Sequence, residues 1–78
     1  MKNQVLKNGI TQEQSDKARK IIKEASFKKV AEKLDISRFK IHNLLRGVSP
    51  DVELLQKAIE TANEIISEKK KIIENLPV

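Results

Sequence analysis

Arg38, Lys40, His42, Asn43 and Arg46 lie in one stretch, VAEKLDISRFKIHNLLRG, that also carries Val30, Ala31, Leu34, Ile36, Ile41, Leu44 and Leu45. Guanidinium, ammonium, imidazole and carboxamide groups all donate hydrogen bonds, and Arg and Lys add full positive charge. A helix that only packs has no need of so many such groups on its outer face, so the set points to a negatively charged partner. It does not point to bond-breaking chemistry. His42 is the single histidine, the chain has no cysteine, and no nucleophile stands beside the imidazole. Paired carboxylates, a Gly-rich phosphate loop and a cluster of metal ligands are all lacking from the pattern, which predicts a binding protein with no metal or cofactor rather than an enzyme.

The elements that must hold these groups are legible as helices. Thr11-Gln-Glu-Gln14 is a capping-box pattern opening a helix over 11–25, in which Ala18, Ile21, Ile22 and Ala25 form one inward stripe. Ser26 caps a second helix, 26–34, with Phe27, Val30, Ala31 and Leu34 at the same spacing. Asp35-Ile36-Ser37 interrupts the pattern, and Ser37 caps a third helix, 37–46, that buries Ile41, Leu44 and Leu45 and stops at Gly47. Ser49-Pro50-Asp51 opens a fourth, placing a hydroxyl cap, a proline at the first helical position and an acid beside the helix dipole. It runs over 50–75 without Gly or Pro. The expected fold is an all-α bundle of four helices with a long C-terminal helix: an arm over 1–10, in which Asn8-Gly9 reads as a turn, then a single domain over 11–78.

Charge is unevenly shared along this layout. Of the net +5 on 78 residues, residues 1–48 hold 12 Lys and Arg against 5 Asp and Glu, a net +7, while 49–78 hold 4 against 6, a net −2. Positive charge confined to one part of a small domain favours a polyanion, with nucleic acid the first candidate; the plainer alternative is a solubilising surface. The opening MKNQVLKNG has no signal-peptide apolar run, and no segment approaches the roughly 20 apolar residues that cross a bilayer, so a cytoplasmic, nucleoid-associated protein with no membrane partner is expected.

Ala31 in the first helix, Leu34 before the turn, Ile36 within it, Ser37, Ile41 and Leu44 in the second helix, and the Leu44-Leu45-x-Gly47 ending carry a resemblance. Residues 27–47, and more loosely 11–66, resemble the helix-turn-helix of the lambda repressor, Cro and LacI-like DNA-binding proteins. The physical requirement behind it is separate: Ala31 must be small where the second helix crosses, and Leu34, Ile36, Ile41 and Leu44 fill the angle between the two. Asp35 departs from the pattern, since many such turns carry Gly there; Asp reaches the left-handed region at a cost that Gly avoids.

With Ile41, Leu44 and Leu45 inward, helical geometry turns Arg38, Phe39, His42, Asn43 and Arg46 outward. The resemblance implies that the N-terminal part of this helix enters the major groove, with Ser37, Arg38, Phe39, His42 and Asn43 near base edges. Arg38 suits guanine, Asn43 an adenine or a phosphate, and Phe39 a thymine methyl. Ser37 and the first amides of the helix suit a phosphate, while Lys28, Lys29, Lys40 and Arg46 supply charge along the backbone. Duller readings stand beside these: Phe39 folded into the core or a subunit contact, Ser37 as a cap alone, His42 facing solvent, and Lys69-Lys70-Lys71 as a solvated helix face rather than a second phosphate patch.

On the fourth helix, Val52, Leu55, Ile59, Ala62, Ile66, Lys69, Ile73 and Leu76 alternate by three and four, with Ala58, Ile65 and Ile72 widening the stripe. Its first half is expected to close the monomer core. The second half, about 63–76, is expected to expose Ile65, Ile66, Ile72, Ile73 and Leu76 and to pair two copies, or to be covered by the arm at Val5-Leu6. These expectations combine into a homodimeric, sequence-specific double-stranded DNA-binding transcriptional regulator: a bacterial or phage repressor, or an antitoxin whose last helix takes a toxin or other regulator. The alternative is a helical protein-protein interaction module whose basic face is incidental.

Overall fold

A computed structural model describes residues 4–77 and gives four helices: α1 (Gln12–Ala25), α2 (Phe27–Leu34), α3 (Arg38–Leu45) and α4 (Val52–Glu74). The all-α bundle with a long final helix is as the sequence predicts, and all six helix pairs touch. Among the described residues no helix is long and apolar enough to cross a membrane.

Local chemistry sets the first three helices. Thr11 accepts from the Gln14 backbone N–H at 3.1 Å while the Gln14 side chain accepts from the Thr11 N–H at 2.9 Å, so both halves of the capping box form. Ser26 both ends α1 and starts α2: its N–H donates to Ile22 O at 2.8 Å and its hydroxyl accepts from Lys29 N at 3.4 Å. That double duty bends the chain so sharply that Ser26 sits at φ 112°, a region that favours glycine.

The core is aliphatic. Ile22, Val30, Ile41, Leu44, Ala58 and Ala62 are fully buried, and Ala18, Ala25, Ala31, Leu45 and Leu55 nearly so. Ser15 continues the Ala18–Ile22–Ala25 stripe one turn earlier and is also buried, its hydroxyl donating to Leu45 O. Ile10, just ahead of α1, is in the same cluster.

Three features differ from the sequence reading. α4 begins two residues later than expected, at Val52, and Asp51 is its cap residue without a side-chain capping bond. The Asp51 carboxylate is instead held by Lys40 Nζ at 2.8 Å, and the Ser49 hydroxyl accepts from the Asp51 N–H at 3.5 Å. Second, Ile65 is only 7% exposed, in the chain's own core, and Ile66 is half-buried, so neither is left open as proposed for dimerisation. Because α4 lies against α1 and α2 along most of its length, its buried stripe runs through Leu55, Ala58, Ala62 and Ile65 and leaves Val52 38% exposed. Third, among the described residues the arm, at Val5-Leu6, does not cover the end of α4. Residues 4–11 turn back at Asn8-Gly9, with a bridge between Val5 and Thr11, and Leu6 packs on Gly47.

Candidate nucleic-acid interface

The α2–α3 corner is built by its turn. Asp35 takes the left-handed conformation, φ 57° and ψ 45°, the region the sequence pattern reserves for it. The Ile36 N–H then reaches back to Ala31 O at 3.0 Å and the Asp35 N–H to Glu32 O at 3.2 Å, the paired bonds of a Schellman ending. Ser37 is extended and accepts from the Lys40 N–H at 3.1 Å, so α3 starts where its cap predicts. Ala31, 4% exposed, and the half-buried Leu34 and Ile36 pack at the corner.

α3 is held from its inner side and its far end. Ile41 and Leu44 are fully buried and Leu45 is 1% exposed. The last carbonyls of a helix have no partner within it. Here the Asn8 amide donates to Leu44 O and Ser49 O, each at 3.0 Å, and Ser15 donates to Leu45 O. Gly47, at φ 82°, donates to Leu44 O at 3.2 Å, and Val48 N–H donates to Asn43 O at 2.9 Å.

The opposite face of α3 is open. Ser37, Arg38, Phe39, His42 and Arg46 are exposed, as are Lys28 and Lys29 on α2. Phe39 is 69% exposed, which removes the reading that folds it into the core. Asn43 is half-buried, at the edge of this face. Lys40 does not belong with the others: it points from α3 toward the start of α4 and its ammonium is paired with Asp51, so its expected service as a free backbone cation is corrected. The cause is spacing, because Lys40 lies two residues from Arg38 and His42 and so leaves the helix on a different side.

His42 has a partner no helical spacing reveals. Its ring stacks on Phe27 at the first position of α2, ring centroids 4.8 Å apart and planes 23° apart. Other residues that sequence reasoning missed are Asn8, Ser15 and Lys40's acceptor Asp51. Ser15 had a signal, a small polar side chain in register with a buried stripe; the others are contacts between distant segments.

A second exposed feature lies at the end of α4, where Ile72, Ile73 and Leu76 are 64%, 59% and 56% exposed. Lys69, Lys70 and Lys71 are exposed beside them. Set against known proteins, the chain matches no family model, no curated protein and no solved structure.

Proposed function

We propose that the chain is a sequence-specific double-stranded DNA-binding transcriptional regulator, in keeping with the resemblance of residues 27–47 to the lambda repressor, Cro and LacI-like helix-turn-helix, and that it binds rather than catalyses. The observation that carries this reading is a helix fixed through Ile41, Leu44 and Leu45 whose other face presents Arg38, Phe39, His42 and Arg46, all exposed, in a chain that also exposes Lys28 and Lys29 on α2. α3 enters the major groove. Ser37, Arg38, Phe39, His42 and Asn43 reach base edges, and Lys28, Lys29 and Arg46 neutralise phosphates. A repressor or an antitoxin of bacterial or phage origin, working in the cytoplasm on the nucleoid, fits a domain of this size.

The functional unit in this reading is a homodimer. Ile72, Ile73 and Leu76 leave an apolar end on α4, and pairing two copies through it places two recognition helices for a two-fold operator. That same end supports a second reading, a helical protein-interaction module that takes a toxin or other regulator there, with the basic face incidental.

A band-shift at two salt concentrations separates them. Arg38→Ala relaxes sequence preference, whereas Lys28→Ala weakens all duplexes alike and lowers the log–log salt slope by about 1. Wild-type chain that binds no duplex at low salt defeats the DNA reading and leaves the interaction module.

A further inference from the structure

Only two aromatic side chains other than His42 are present, Phe27 and Phe39, with no Tyr or Trp. A small aliphatic core gains most from burying such large rings, yet neither is in the buried set: Phe39 is 69% exposed and Phe27 half-buried. Phe39 lies on the open face of α3, and Phe27 at the first position of α2. Phe27 packs against the core cluster and is thereby held still. His42 lies on it nearly parallel, at 4.8 Å.

An exposed histidine on a helix samples several χ1 wells and a broad χ2. Stacking one imidazole face on a fixed ring removes most of those states while His42 stays exposed to a partner. A neutral imidazole offers one donor and one acceptor. In the major groove the matching acceptors are N7 of either purine and O6 of guanine. We infer that Phe27 is a positioning residue for recognition by His42: from α2, outside the recognition helix, it fixes the imidazole so that His42 reads a purine at one position of each half-site. This deepens the DNA-binding reading and rests on it. Arg38 and Arg46, one turn before and after His42 on α3, hold the neighbouring phosphates or bases and leave that one position to the histidine.

The test starts from a duplex selected by the wild-type chain from a random pool, and measures competition by duplexes changed one base pair at a time. His42→Ala abolishes preference at one purine position. Phe27→Leu keeps apolar filling at the corner but offers no ring, and reduces discrimination at that same position by about three- to ten-fold, the cost of ordering one side chain on binding. Phe27→Tyr retains the ring and the preference. Phe27→Met is the milder change: it keeps more of the apolar volume against the core but has no ring, and loses preference at that position by a similar factor, so the test stands even if Phe27→Leu fails to fold. The Phe27→Leu, His42→Ala pair together is no worse than His42→Ala alone.

A Phe27→Leu chain that weakens every duplex equally, or a Phe27→Met chain that keeps the wild-type preference, overturns the inference while DNA binding stands. A wild-type chain that selects no duplex overturns both.

Discussion

Gly47→Ala is the sharpest test of how α3 is held. Gly47 sits at φ 82°, and a methyl group on it would lie 2.5 Å from Leu6 Cβ. Two costs follow. A non-glycine residue in the left-handed region costs about 1–2 kcal/mol. The clash is with a Cβ close to the arm's backbone rather than a flexible tip, so the arm must move. Moving it uncovers the half-buried Leu6, about 1 kcal/mol at half the value of a fully buried leucine. It also strains the two bonds from the Asn8 amide to Leu44 O and Ser49 O, at about 1 kcal/mol each. Against this, alanine stiffens the unfolded chain by about 0.4–1 kcal/mol. The net expectation is a loss of about 3–4.5 kcal/mol, which for a domain of this size lowers the melting temperature by more than about 12 °C. Urea denaturation followed by far-UV circular dichroism measures it. A double-mutant cycle with Leu6→Gly separates the two costs, because that change removes the clash and leaves the φ penalty; the pair should be about 3 kcal/mol less damaging than the sum of the singles. A loss under about 1 kcal/mol for Gly47→Ala, or strict additivity with Leu6→Gly, refutes the packing of the arm on α3.

Asp35→Gly removes the strain of a left-handed aspartate and, after the greater entropy lost by glycine, should stabilise the chain by about 0.5 kcal/mol, read as a rise of about 2–4 °C in thermal unfolding; a fall would show that the Asp35 side chain holds the turn. Ala31→Leu overfills the α2–α3 corner and should cost about 1–3 kcal/mol in urea unfolding, with loss of duplex binding as the helices part. Asp51→Asn breaks the pair with Lys40, whose side chains are 37% and 56% exposed, so stability should fall by under about 1 kcal/mol. The released Lys40 is then free for a phosphate, and duplex binding should tighten at low salt with a log–log salt slope steeper by up to about 0.9; unchanged binding would place Lys40 away from the DNA.

The first three helices were legible because each boundary is decided within a turn or two of chain. Thr11 and Gln14 cap each other, Ser37 caps the amide of Lys40 three residues on, and Gly47 is the left-handed stop. The start of α4 was misplaced for the opposite reason. Ser49-Pro50-Asp51 has the composition of a helix start, but the Asp51 carboxylate is drawn 11 residues back to Lys40, and the helix opens only at Val52. Ile65 was misread because its burial depends on where α2 comes to lie, which no spacing on α4 specifies. At the candidate interface the division into inward and outward residues follows from a period of 3.6 and holds for Ile41, Leu44 and Leu45 against Arg38, Phe39, His42 and Arg46. The period also turns Lys40 off that face; what it cannot give is the contact between elements, and so the seat of His42 on Phe27 and the pairing of Lys40 with Asp51 were both out of reach.

Those cross-element contacts have a common direction. The C-terminal carbonyls of α3 accept from Ser15 and Asn8, 30 and 36 residues away, and from the Gly47 turn on which Leu6 rests. The N-terminal half is held by its own Ser37 cap, the buried Ile41 and the Lys40–Asp51 pair at its flank, with the Phe27 ring under His42 at mid-helix. Leaving buried carbonyls without donors costs about 1–3 kcal/mol each, so the far end of α3 is fixed by bonds that cannot be broken cheaply. The end with the cap and the exposed Arg38 and Phe39 is held mainly by apolar packing on one side. A helix anchored at its C-terminus and open at its N-terminus presents its first turns to a partner without bending. The proposed groove insertion would draw on that asymmetry, because ordering Arg38 and His42 before a partner arrives lowers the entropy lost on binding.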